Sequence, residues 1–201
     1  MPKFTSTSPA PWGDFHGMRV RAAFGIERDS LRPEGATKST ALPEAAWNAA
    51  KVQTLAPAFR DRFTAFLADL DAMGNERGVD FIVWDGARSL ERQVELYGRG
   101  RLDKGTVVTK TIASNHLWGT AIDVCVRSPA GHPIFVLPRW WQKDALPLAA
   151  KHGLRSLLLA LGLDPPHIEV PPADQPAAIL AFKAALVADF KAQPFYAEYG
   201  T

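Results

Sequence analysis

The chain has a single cysteine, Cys125, in 201 residues. No intrachain disulfide is possible, so a packed core must hold the fold. No stretch approaches the roughly 18 consecutive apolar residues of a membrane span. Neither sign of charge dominates: 23 Lys and Arg stand against 21 Asp and Glu, a net of +2. With a pI near 8.8 the protein is mildly basic. That is far from a nucleic-acid-binding profile and favours only weak attraction to an anionic surface. Internal repeats and a linker to a second module are lacking. The N-terminal M-P-K-F-T-S-T-S-P-A-P-W-G has no apolar core region and is not a recognisable secretory signal. Histidine is scarce as well, with five in the chain, which narrows the choice of any imidazole site.

What is present is ordinary for a globular protein, 47% apolar and 22% charged. The length suits one well-buried domain and is short for two. Residues 1–40 are rich in Pro, Gly, Ser and Thr and read as an extended arm or irregular cap, with Trp12, Phe15 and Phe24 packing on something. Helices are predicted from Pro43 to Leu55 and from Pro57 to Arg77. In the second, Phe59, Phe63, Phe66, Leu67, Leu70 and Met73 recur at three- and four-residue spacing. Phe81 to Trp84 reads as a short buried strand, followed by an Asp85-Gly86 turn and a helix capped by Ser89 that reaches Tyr97. Residues 98–111 are polar and punctuated by glycine, a loop with room for a short strand at Val107-Val108. Ala121 to Val126 is a central strand and His132 to Leu137 the next, a hairpin that makes the sheet at least partly antiparallel. Trp140 to Gly162 reads as helical in two pieces, interrupted near Pro147 and Gly153. His167 to Val170 is a short strand. Asp174 to Ala192 is an amphipathic helix, expected to dock on the domain because its charge is nearly balanced.

The informative stretch is Ser114 to Asp123, S-N-H-L-W-G-T-A-I-D. It sets His116 and Asp123 seven residues apart at the mouth of a strand. Imidazole and carboxylate are two of the three side-chain types that bind Zn²⁺ in catalytic sites. A third ligand is available at His167, in D-P-P-H-I-E-V, with His132 and His152 as competitors. The period of a strand puts Ala121, Asp123 and Cys125 on one face. Cys125 therefore lies near the site, although a small buried residue is the simpler reading. Arg88, in D-G-A-R-S, stands at a strand-to-helix junction, a common place for a functional side chain. The alternative is a solvated arginine paired with Glu91 or Asp85.

The pattern S-x-H-x-x-G-x-A-x-D resembles the zinc motif of the D-alanyl-D-alanine carboxypeptidase and dipeptidase superfamily. That group includes VanY-like carboxypeptidases and the L-alanyl-D-glutamate endopeptidases of phage endolysins, and hedgehog signalling domains share its fold. The resemblance covers roughly residues 81–170. It implies an α+β domain of hedgehog/DD-peptidase type, with a small, mostly antiparallel sheet and helices packed on it. It also implies zinc held by His116, Asp123 and His167, a catalytic carboxylate at Asp164, and an arginine at Arg88 that stabilises the oxyanion. Asp164 lies three residues before His167, and neither His132 nor His152 has a carboxylate so placed. Glu169 is the runner-up for the base, and Ser114 is a candidate to bind substrate or a ligand. Where family endopeptidases often carry a tryptophan- and glycine-rich segment, residues 157–162 are aliphatic, which bears on substrate preference.

The resemblance thus implies one zinc peptidase domain over residues 1–201. It has an arm and helix at 1–50, a catalytic core at 81–170 and a C-terminal helix at 174–192. The substrate would be the stem peptides of peptidoglycan, with no nucleic acid, no stable membrane insertion and a monomeric state. L-alanyl-D-glutamate endopeptidase activity is favoured because the carboxylate in D-x-x-H is Asp, as in the phage branch. D-alanyl-D-alanine carboxypeptidase is the enzymatic rival, and a non-catalytic zinc module that binds wall or protein is the rival from another class. Lacking a recognisable signal, such an enzyme would reach the wall by another route, for example release through a holin.

Overall fold

The computed structural model describes residues 44–101, 106–158 and 166–192. The architecture is α+β. Helix α1 (Glu44–Gln53) and α2 (Arg60–Glu76) precede strand β1 (Asp80–Asp85), and α3 (Leu90–Gly98) follows it. A 3₁₀ turn (Asn115–Trp118) leads into β2 (Ala121–Arg127), then β3 (Pro133–Ile134). A π turn (Trp141–Ala145) runs into α4 (Leu146–Lys151), and β4 (Arg155–Ser156), β5 (His167–Glu169) and α5 (Ala177–Lys191) complete the order. The sheet runs β1-β2-β5-β4, with β3 pairing the far end of β2, and every pairing is antiparallel.

The alternation of β2 divides the sheet into two chemistries. Ile122 and Val124 enter the main core with Phe81 and Val83 of β1 and Ile168 of β5. Phe63, Phe66 and Leu70 of α2 pack there, as the three- and four-residue spacing requires. So do Ile179, Leu186 and Phe190, which dock α5 on the domain. On the other face Ile82, Trp84 and Cys125 form a smaller cluster with Trp47 of α1. Asp123 shares that face. Burial, then the nearby Asp123 charge, pushes the Cys125 thiol up to about 12. It packs with Trp47, Ile82 and Trp84 and is not one of the residues whose donor atoms converge with Asp123.

β1 has β2 as its one strand neighbour among the described residues. Its outer edge is covered by side chains of α1. The Asn48 amide donates to the Phe81 carbonyl at 3.0 Å and accepts from Val83 N–H at 2.8 Å, and Trp47 Nε1 donates to the Val83 carbonyl at 2.7 Å. One asparagine thus stands in for a neighbouring strand and satisfies backbone groups that are otherwise buried and unpaired.

Several local readings are corrected. Val107 and Val108 form no strand and are about half exposed. The strand foreseen from His132 to Leu137 pairs only at Pro133–Ile134. Pro147 does not interrupt the helix. It occupies the first turn of α4, where a missing N–H costs little, and the π turn before it feeds directly into that turn. Arg155 and Ser156, read as helical, form β4 and pair with Glu169 and Ile168.

Candidate metal centre

Two strands and one turn bring the three sequence-predicted ligands together. Asp123, third in β2, lies directly opposite His167, first in β5, in the antiparallel register. His116 sits on the 3₁₀ turn just ahead of β2. That turn is capped by Ser114, whose side chain accepts from His116 N–H, and it is closed by Gly119 in the left-handed conformation, φ 60°. A Cβ at Gly119 would come within 2.5 Å of the Ala56 backbone nitrogen. The glycine of S-x-H-x-x-G thus serves both conformation and space.

His116 Nε2, His167 Nδ1 and Asp123 Oδ1 form a triangle with edges of 3.2, 3.1 and 3.0 Å. A tetrahedral zinc with bonds of about 2.0–2.1 Å needs ligand–ligand edges of about 3.3–3.4 Å. The triangle is within a few tenths of an ångström of that. Both ring nitrogens turned away from it have acceptors: His116 Nδ1 contacts the Gly86 carbonyl at 2.8 Å and His167 Nε2 contacts Glu169 Oε2 at 2.9 Å. Each acceptor fixes a ring proton on the far nitrogen, so the near one is the nitrogen that can turn a lone pair to a cation once any proton on it has left. Both imidazoles are buried, and the Asp123 side chain is 19% exposed, so the carboxylate is where the centre meets solvent. The donor set, its spacing and its outer shell fit a zinc ion.

Electrostatics agree with the geometry. Burial opposes ionisation of Asp123, but the two imidazoles outweigh it and hold the carboxyl well below its ordinary range. For His167, burial disfavours the imidazolium, yet hydrogen bonds to Asp123 and Glu169 carry its pKa up to about 9. Glu169 is also pushed upward by burial, but His167, Asn115 and Arg155 pull it down to about 2. The cluster therefore attracts positive charge, and a divalent cation entering it competes with the His167 proton.

Arg88 is buried beside this centre. Its Nε and Nη2 donate to Asp85 Oδ2 at 2.9 and 2.5 Å, Nη1 to Gln93 Oε1 at 2.6 Å, and Nη2 to Asp123 Oδ2 at 3.4 Å. Its backbone N–H donates to the His116 carbonyl at 2.9 Å. The link to Asp123 depends on a bulge. β1 pairs regularly up to Val83↔Val124, then one residue is added and Asp85 falls opposite Asp123. Bulges next to sites re-aim side chains in this way. One guanidinium thus bridges two acids and meets the Asp123 oxygen that lies outside the triangle. The pairing with Asp85 foreseen from sequence is present, but buried and not solvated.

The rival histidines do not approach the centre. His132 is exposed in the turn after β2, and His152 Nε2 contacts Asp69 Oδ2 at 2.8 Å. Asp164 lies outside the described residues. Glu169, the runner-up base, is otherwise employed: its oxygens accept from His167, Asn115 and Arg155. Its sharing of His167's strand face was a usable signal for this supporting role. The carbonyl of Gly86 and the guanidinium of Arg155 left no such trace, because only the fold brings them in.

The centre is a His–Asp–His cluster able to hold a cation, set on the antiparallel sheet of an α+β domain. No family model matches the chain. A stretch of 68 residues is 37% identical to the peptidoglycan L-alanyl-D-glutamate endopeptidase CwlK of Bacillus subtilis (strain 168). That match spans 33% of this chain and 41% of that relative's length. Among solved structures, the L-Ala D-Glu endopeptidase ChiX of Serratia marcescens is 24% identical with a TM-score of 0.48, covering 66% of this chain and 92% of that one. The resemblance to the carboxypeptidase and endopeptidase superfamily, carried in sequence by S-x-H-x-x-G-x-A-x-D, is supported by the curated relative.

Proposed function

We propose that this protein is a zinc peptidase that cuts the stem peptides of peptidoglycan between L-alanine and D-glutamate. The observation that carries the proposal is the triangle of His116, Asp123 and His167 donor atoms, with ring protons turned outward onto Gly86 and Glu169. The endopeptidase name of the curated relative supports the choice of bond. Among the described residues, no helix is long and apolar enough to cross a membrane.

In this reading His116, Asp123 and His167 would hold the ion, a three-residue set of the kind found in catalytic zinc sites. When bound, zinc supplies Lewis acidity to a carbonyl and lowers the pKa of water. Asp123 would offer its Oδ1, since Arg88 Nη2 lies on its Oδ2 at 3.4 Å. Arg88 is held from behind by Asp85 and Gln93, so its guanidinium cannot swing. A guanidinium fixed in this way is a preorganised donor for the oxyanion of a tetrahedral intermediate. Asp164 is the general base: it takes the proton of the attacking water and returns it to the leaving amine. Two prolines between Asp164 and His167 restrict how far that carboxylate can stray. Ser114 caps the turn that carries His116 and offers its hydroxyl hydrogen to substrate.

Mass spectrometry of purified peptidoglycan digested by the protein tests this reading. Fragments with new N-terminal D-glutamate are expected, and chelator should abolish them. Released free D-alanine would instead make the enzyme a carboxypeptidase. No cleavage by zinc-loaded, folded protein would leave a binding module.

A further inference from the structure

The two imidazoles of the centre are oriented by different means. His116 leans on a backbone carbonyl, which the fold fixes. His167 leans on a side chain, Glu169, so its orientation depends on what holds Glu169. One Glu169 oxygen, Oε1, is taken by Arg155, whose Nε and Nη2 lie at 2.7 and 2.5 Å. The other, Oε2, accepts from His167 Nε2 and from the Asn115 amide.

An asparagine amide can present either end. Glu169 is an acceptor only, so Asn115 must offer its NH₂ there, and its carbonyl oxygen then faces the opposite way. What waits on that side is an ammonium, a group that can only donate. Lys183 of α5 donates to Asn115 Oδ1 and to Gln175 Oε1 at 2.5 Å. Gln175 is itself anchored through Nε2 on the Val170 carbonyl at 2.8 Å, just past β5. A donor-only group at one end and an acceptor-only group at the other permit a single amide orientation.

We propose that Lys183 is a positioning residue for the metal: by fixing the Asn115 amide it holds Glu169 as the acceptor of His167 Nε2–H, and so presents His167 Nδ1 to the cation. This rests on the zinc reading above. It gives α5 a part in the centre that its apolar face, docked on the core through Ile179, Leu186 and Phe190, does not reveal.

The test is a double-mutant cycle read on metal binding in the full chain. Zinc affinity is measured by competition with a chromophoric chelator, and ligand geometry by the visible absorption of the cobalt(II)-substituted protein. Glu169→Gln should weaken zinc about 10- to 100-fold, the usual loss for an outer-shell partner. Lys183→Met should weaken it in the same direction, by about tenfold, and alter the cobalt spectrum. Added to Glu169→Gln, Lys183→Met should have no further effect beyond about twofold, because it acts through that carboxylate. Wild-type affinity and spectrum in folded Lys183→Met protein would overturn the relay, as would a full tenfold loss in the Glu169→Gln background. If the methionine variant does not fold, Lys183→Gln, whose amide is too short to hold the same acceptors, is read in its place. A wild-type chain that binds no zinc would overturn the metal reading itself, and the relay with it.

Discussion

Replacing Arg88 by alanine removes one cation from between two acids. Asp85 and Arg88 are 3% and 8% exposed at their side chains, so water can do little to replace the lost pairing. Removing one partner of a buried ion pair typically costs about 3–5 kcal/mol, because the remaining charge keeps its desolvation penalty. For a chain of this size each kcal/mol lowers Tm by about 2–4 °C, so a fall of roughly 6–20 °C is expected in thermal denaturation. The origin of the loss can be separated from simple truncation. If it is the lost neutralisation of the buried Asp85 charge by the guanidinium, then Arg88→Ala/Asp85→Asn should be more stable than Arg88→Ala alone, although it carries one more substitution. Arg88→Lys should not rescue, since an ammonium cannot fork to Asp85, Gln93 and Asp123 together. An Arg88→Ala protein within about 1 kcal/mol of wild type would mean that the buried Arg88–Asp85 pair contributes little to stability. Activity is a separate readout: loss of one oxyanion donor costs about 10²- to 10³-fold in kcat.

Three further outcomes follow from named contacts. Asp164→Asn should keep its zinc and lose about 10²- to 10⁴-fold in kcat; a parallel collapse of metal affinity would make Asp164 a ligand, and unchanged turnover would exclude both roles. Zinc binding at pH 7 should release about one proton or more, because His167 holds its proton up to about pH 9 whereas Asp123 is already ionised. Affinity should therefore decline as pH falls from 9, and calorimetry in buffers of different ionisation enthalpy that finds no proton release would contradict this. Asn48→Ala should cost about 2–4 kcal/mol in chemical denaturation, since it leaves the Phe81 carbonyl and Val83 N–H unpaired in a buried edge; a loss below about 0.5 kcal/mol would mean that water covers that edge.

How far the chain could be read depended on whether the signal was periodic or local. Phe63, Phe66, Leu67 and Leu70 mark α2 because their spacing repeats, and all four are buried. Ile122 and Val124 mark the core face of β2 for the same reason. His116 and Asp123 were legible because one turn and one strand entrance hold them close in sequence. His167 stood out from His132 and His152 only through the family pattern, and β5 does bring it opposite Asp123. β4 was missed because two residues carry no period, and with it went Arg155, which meets Glu169 only through the β4–β5 pairing. The bulge that sets Asp85 opposite Asp123 was equally silent, since pairing register is a property of two strands and not of one. Asn115 lay inside the motif, but its contact with Lys183, 68 residues away, is made only by the fold.

The zinc reading requires His116, Asp123 and His167 to bind one ion together. Elemental analysis of the purified protein, run beside His116→Ala prepared identically, tests it most directly. About one zinc per chain is expected in the wild type and little or none in the variant, with circular dichroism showing both folded. A full zinc complement in folded His116→Ala protein would contradict the claim and place the metal elsewhere.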